Sequence, residues 1–172
     1  MPDVETLALA AREDVPNSLL PVVVYRAALP AGPGLANRLE QRFAEAGWRG
    51  IWRNGIFSYH HFHDDAHEVL GIAAGEVVVQ LGGEAGRALT LRAGDVVVLP
   101  AGTGHKRLSS SPDLLVVGGY PPGQEAPAIR RGGDMSGDVV ERAAMVPLPA
   151  SDPLMGEDGE LLRFWSAAAT RA

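Results

Sequence analysis

From Ile51 to Tyr120 the chain is a succession of short apolar runs broken by glycine turns: IFSYHHFH, HEVLGIA, EVVVQLGG, ALTLRAGD, VVVLPAG, HKRLSSS and LLVVGGY. Runs this short, recurring at roughly ten-residue spacing, predict the strands of an antiparallel sandwich or barrel. No helical pattern lies between them, which argues against alternating strand–helix units. Upstream, residues 19–28 (LLPVVVYRAA) are rich in β-branched side chains and predict another strand, with Pro21 at its start or on a sheet edge. Residues 1–16 read as a loosely held arm or a short helix. PAGPG at 30–34 is a turn, and one clear helix is expected at 35–46. There Leu35, Leu39 and Phe43 recur at a spacing of four, and Gly47 suits the end. Residues 121–143, with PPGQ, RRGGD and SGD, read as a long loop. Residues 146–165 are expected to give an extended segment, a glycine-rich turn and a closing strand at LLRFW. The QLGGEAG stretch lacks the Lys-Ser/Thr ending of a phosphate loop and is taken as a hairpin turn.

Composition narrows the picture. A chain of 172 residues suits one domain, and 46% hydrophobic residues can fill its core. We therefore expect a single domain over 1–172, with a motif core at 51–120, an N-terminal arm, strand and helix at 1–50, and a loop with closing strands at 121–172. The net charge of −6 gives no electrostatic support for a nucleic-acid partner. Lys106 is the only lysine, and there is no cysteine. That excludes disulfides, thiol nucleophiles, iron–sulfur clusters and cysteine zinc sites. The N-terminus has no basic run before its apolar patch, and no apolar run reaches the roughly 18 residues of a membrane span. The expectation is a soluble cytoplasmic protein without a membrane or nucleic-acid partner.

The candidate chemistry lies in HHFHDDAHE, residues 60–68, which holds four of the five histidines; the fifth is His105. On a strand, His61 and His63 share one face, and His60 and Phe62 the other. His63 and His67 are also spaced to share a helix face, but the flanking β-rich runs and the turn-forming Asp64-Asp65-Ala66 argue against a helix. With that stretch as a hairpin turn, His67 and Glu68 open the return strand and face opposite ways. Spacing alone leaves open which of the two joins His61 and His63.

Here the sequence resembles the cupins, the RmlC-like jelly rolls or double-stranded β-helices. Their first motif is matched by Gly55, five residues, His61-Phe62-His63, four residues, Glu68, six residues and Gly75. The second is matched by Gly94, five residues, Pro100-Ala101-Gly102, two residues and His105, with Ser109 where the motif ends in asparagine. HHFHDDAHEVLG, VQLGG, VVGGYPPGQ and VPLPASDP further resemble the YjlB-like group of single-domain cupins. The resemblance implies an all-β jelly roll with one N-terminal helix. It implies His61, His63, Glu68 and His105 as metal ligands, with Glu68 facing the barrel and His67 facing away.

Three imidazoles and one carboxylate suit one divalent transition metal, whether Fe, Mn, Ni, Co, Cu or Zn. Open positions on such an ion suit the oxygenase, decarboxylase, isomerase or lyase chemistry that the wider family shows. An enzyme acting on a small oxygenated molecule is thus one expectation. A non-catalytic cupin binding a metal, sugar or acid is the other, and a structural role in an assembly is a distant third. Tyr59, Gln80 and Arg107 are candidates for the pocket wall, Arg107 as a partner for a substrate carboxylate. His60 and His67 are expected beside the ligands or on the surface, and Asp64 and Asp65 in a solvated turn. The 121–143 segment, with Arg130 and Arg131, is a candidate lid. The resemblance also implies a homodimer, with the 19–28 strand as a candidate for exchange between copies.

Overall fold

The computed structural model describes residues 2–171. Eleven strands and three helices are found among them: β1 (Asp3–Leu9), β2 (Ser18–Arg26), α1 (Leu35–Glu45), β3 (Arg49–Asn54), β4 (His61–Phe62), β5 (Glu68–Ala74), β6 (Glu76–Leu81), β7 (Arg87–Arg92), β8 (Val96–Leu99), β9 (His105–Ser110), β10 (Leu115–Tyr120), β11 (Arg130–Arg131), α2 (Val139–Met145) and α3 (Glu160–Arg171). They form two antiparallel sheets. The larger runs β1-β2-β8-β5-β10-β3 and the smaller β11-β4-β9-β6-β7. No helix among the described residues is long and apolar enough to cross a membrane.

The inner strands β2, β8, β5 and β10 of the larger sheet are covered on both faces, and this explains their unbroken apolar runs. Val22 and Val24 of β2, and Val97 and Leu99 of β8, point between the sheets, where they meet Val77, Val79 and Leu81 of β6. Val23, Tyr25, Val96 and Val98 point the other way, against Leu35, Leu39 and Phe43 of α1 and Leu161 and Trp165 of α3. A strand with apolar neighbours on both sides has no need of polar alternation. The smaller sheet is covered on one face only and does alternate. Along β6, Val77, Val79 and Leu81 are buried and the residues between them less so.

Several expectations are corrected here. Residues 3–9 form an edge strand rather than a loose arm or helix, held by main-chain pairing of Asp3–Leu7 with Val22–Arg26. Pro21 lies within β2, at the shift of register between Leu7 and Leu9, where a ladder bond is not needed. The 121–143 segment is not featureless, since it contains β11 and the start of α2. The expected closing strand LLRFW is the first half of α3. Leu161 and Trp165, one helical turn apart, are both fully buried against the larger sheet, and Ser-Ala-Ala-Ala beyond them suits a helix. The fold thus carries two C-terminal helices beside the expected one.

Two motif glycines show why the backbone asks for that residue. Gly75 (φ 77°) and Gly94 (φ 99°) both sit in the left-handed region that other residues rarely adopt. A Cβ on Gly94 would also fall 2.5 Å from the Leu29 carbonyl oxygen.

Candidate metal centre

Register decides which side chains meet. His61 of β4 is directly opposite His105 of β9, and His105 is opposite Leu81 of β6. Cross-strand partners share a face, so both imidazoles lie on the inward face with Leu81. Glu68 of β5 is opposite Leu99 of β8, which also faces between the sheets. The same parity sends His67 the other way. His63 follows β4 in the connection that crosses from the smaller sheet to the larger one. Asp64–Ala66 is therefore not a hairpin turn between paired strands, because β4 and β5 belong to different sheets.

The ring nitrogens of His61, His63 and His105 bring one donor atom each to within 4.8 Å of one another. Glu68 Oε2 is 3.4 Å from His63 Nε2, and its Oε1 is 3.3 Å from His105 Nε2. All four residues are buried. Each imidazole also has its Nδ1 next to a backbone carbonyl: Tyr59 O at 3.3 Å for His61, Ala128 O at 2.9 Å for His63 and Thr103 O at 3.0 Å for His105. A carbonyl can only accept, so each Nδ1 donates its hydrogen, and Nε2 is the nitrogen each ring turns inward, open to a ligand once it carries no proton.

The electrostatics are strongly coupled. At His63, burial disfavours the charged ring, but the charge and hydrogen bond of Glu68 outweigh it and push the pKa up to about 9. At His61, burial and the adjacent His105 push it down to about 2. Burial alone would raise Glu68, yet His63 and His105 hold its carboxyl well below the usual carboxylate range. The cluster is built to keep one negative charge among imidazoles.

A cavity of about 700 Å³ opens onto this cluster. His61, His63, Glu68 and His105 line it together with Trp52, Phe57, Arg107, Tyr120 and Ile129. Of the three candidate wall residues, Arg107 lies there, as its pairing with inward-facing Val79 requires. Gln80 does not. It sits between Val79 and Leu81 on the other face of β6, and its amide donates to Gly83 O and Glu84 O. Tyr59 is also outside the cavity. It stacks on Phe57 at 4.8 Å and is covered by the Arg131 guanidinium at 3.5 Å.

Tyr120 is one of the wall residues not anticipated, and the one beside the histidine cluster. Its hydroxyl accepts from Trp52 Nε1 at 2.9 Å, and burial and then the Glu68 charge raise its pKa, so it keeps its proton. The signal was present: Val116 faces between the sheets, and a period of two carries that face to Gly118 and Tyr120. Trp52 passes over Gly118, where any side chain would collide with the indole.

The other histidines are buried but turned elsewhere. His67 accepts from Ala101 N–H at Nδ1 (2.9 Å), donates from Nε2 to Pro147 O (3.1 Å) and packs 4.7 Å from the Trp165 ring. Burial pushes its pKa down to about 4, so it stays neutral. His60 pairs through Nδ1 with Glu84 Oε1 at 3.0 Å. Asp64 is not in a solvated turn. It is buried, with its Oδ2 2.9 Å from Arg130 Nε and 2.5 Å from Arg142 Nη2. These ion pairs tie 130–142 down beside His63. Asp65 Oδ2 adds a bond from Ala128 N at 3.2 Å, and β11 pairs with β4 at Arg131–His61.

Sequence comparison agrees with this architecture. Residues 51–113 match the family described as Cupin domain. The uncharacterized protein YjlB of Bacillus subtilis (strain 168) is 43% identical over 145 residues, covering 84% of this chain and 86% of YjlB. Among solved structures, acireductone dioxygenase from Bacillus anthracis, with a cadmium ion in its active center, is 16% identical with a TM-score of 0.43, over 62% of this chain and 82% of that one. A Klebsiella pneumoniae protein with a double-stranded β-helix domain is 16% identical with a TM-score of 0.38, over 76% and 84%. With its two motifs, its paired antiparallel sheets and a relative this similar over most of both lengths, the chain belongs to the cupins, in the group of YjlB.

Proposed function

We propose that the protein is a metal-dependent enzyme acting on a small oxygenated molecule, with His61, His63, Glu68 and His105 holding the ion. One observation carries this reading. Three buried imidazoles have their Nδ1 atoms committed to backbone carbonyls, which turns three Nε2 atoms together beside a buried carboxylate. Metal-binding histidines are oriented by such outer hydrogen bonds, and burying a carboxylate among rings is costly without a cation. The donor set suits a divalent first-row ion. A bound ion would supply Lewis acidity toward substrate oxygens.

The residues around it have their own work. Tyr120 keeps a proton at the cavity wall next to Glu68. Trp52, Phe57 and Ile129 add apolar surface to the same wall. The class of reaction is an oxygenase, decarboxylase, isomerase or lyase type. The second reading, a cupin that binds a metal, sugar or acid without turnover, has the same donor set but gives no role to the proton that Tyr120 keeps next to Glu68.

Metal content by mass spectrometry tests the proposal on protein purified without a nickel column. About one equivalent of a divalent first-row ion is expected, either as isolated or after reconstitution. No uptake of iron, manganese, nickel, cobalt, copper or zinc would overturn it.

The same reading takes the protein as a homodimer. Supporting it are the exposed apolar side chains Leu19 (79% exposed) and Met145 (80%), with Val140 and Leu148 nearby in chain or space. Light scattering at micromolar concentration should give twice the chain mass; a monomeric mass would sink this part.

A further inference from the structure

We infer that Arg107 is an anion-binding residue of the cavity, and that its occupant is a small organic acid whose carboxylate lies several bonds from the oxygens facing the histidines. The inference rests on the metal reading above and names the substrate class for that site.

The register of β9 places Arg107. Its partner is Val79, as the partner of His105 is Leu81, and both partners face between the sheets. Arg107 and His105 therefore project from one face of one strand, with Cα atoms roughly 7 Å apart. Lys106 between them points outward to Glu84. The metal-facing end and the guanidinium thus belong to a single cavity.

The guanidinium is incompletely used. Its Nε donates to Ile56 O at 3.2 Å and its Nη1 to Ser110 Oγ at 3.4 Å. A guanidinium has five N–H donors in a planar fork, so these two leave the Nη2 pair and one Nη1 hydrogen without a protein acceptor. Three other half-buried arginines have acids: Arg26 has Glu5 and Asp95, and Arg130 and Arg142 have Asp64. Arg107 forms no ion pair among the described residues. Among the described residues it is also the only lysine or arginine in the cavity wall, and Glu68 is the only carboxylate there.

A plain loop-clipping role does not account for this. The 55–57 connection is already held by the Arg107 backbone, whose N–H donates to Phe57 O at 2.8 Å. The side chain spends one donor on Ile56 and one on Ser110, and keeps a charge facing a cavity whose walls include Trp52, Leu70, Leu114 and Ile129. A carboxylate meets the remaining edge of the fork in a bidentate pair. The apolar walls suit a short carbon spacer between that carboxylate and the oxygens at the histidine end.

The test uses two acids that share a 2-hydroxycarboxylate head and differ only in the tail: 2-hydroxyglutarate, with a distal carboxylate, and 2-hydroxypentanoate, without one. Calorimetric titration of the cobalt(II)-reconstituted protein is expected to give at least tenfold tighter binding for 2-hydroxyglutarate. Arg107→Met should retain one equivalent of cobalt and lose that preference. Arg107→Lys, which keeps the charge but not the fork, should recover part of it. Equal affinities in wild type, binding of neither acid, or a preference that survives in Arg107→Met would overturn the inference. Cobalt content is measured separately. If wild type takes up neither cobalt nor any of the other five ions, the metal reading falls, and the same two acids are titrated into the metal-free protein. A tenfold, Arg107-dependent preference there supports the anion site, and its absence overturns it.

Discussion

His61→Ala is expected to lower affinity for the divalent ion by at least ~100-fold, while His67→Ala leaves affinity unchanged. Losing an outer partner of a metal ligand commonly costs 10–100-fold, and losing a ligand itself costs more. The two histidines are equally buried and six residues apart, so burial does not separate them. Orientation does. His61 presents Nε2 to the cluster because Tyr59 O holds its Nδ1. His67 spends both nitrogens on Ala101 and Pro147, on the far side of the larger sheet. Its removal strands the buried Ala101 N–H and leaves a gap against Trp165, a cost of about 2–3 kcal/mol in stability. The pair forms a double dissociation. Metal titration followed by denaturant unfolding on both variants reads it, and loss of metal in His67→Ala with retention in His61→Ala would refute the assignment.

The largest loss of stability is expected from Asp152→Ala, about 4 kcal/mol. Asp152 is fully buried. Its Oδ1 accepts from the N–H groups of Leu154 (2.7 Å) and Met155 (3.1 Å), and its Oδ2 from Leu161 N–H (3.1 Å) and the Tyr25 hydroxyl. One carboxylate thus closes the 152–156 turn, caps the first turn of α3 and fixes that helix to β2. Hydrogen bonds to a charged acceptor are each worth about 1.5–3 kcal/mol, and donors left bare in the interior add their desolvation. At this chain length the Tm should fall by ~10 °C. Tyr25→Phe removes one of the four bonds and should cost ~1–2 kcal/mol. It should also change the alkaline limb. Burial and the Asp152 charge raise the Tyr25 pKa, so the folded chain keeps a proton that the unfolded chain releases near pH 10. Stability from this group is complete below that pH and declines above it, and the decline should be shallower in Tyr25→Phe. A loss under 1 kcal/mol in Asp152→Ala would contradict this account.

The parts of the fold legible in the sequence were those fixed by local pattern. Glycine turns and apolar runs mark β5 to β10, and a spacing of four marks α1. LLRFW misled because a short apolar run fits a buried strand and a buried helix equally well. The deciding contacts, Leu161 and Trp165 against β2 and β8, lie more than sixty residues away in the chain. Gln80 was decidable from the alternation of Val77, Val79 and Leu81, and Tyr120 from the period running out of Val116. Asp64 was not, since its character depends on Arg130 and Arg142, which nothing nearby in sequence brings to it. The motifs named a donor set, but not the carbonyls of Tyr59, Thr103 and Ala128 that aim it.

The Ala128 carbonyl gives the centre a place in time. By the time residue 105 leaves the ribosome, all four donors have been made. The group that turns His63 has not, nor has β11, which closes over His61. Synthesis therefore separates owning the donors from aiming them. The finished geometry waits for the last third of the chain, and a nascent chain ending near Tyr120 carries the full donor set without its final alignment.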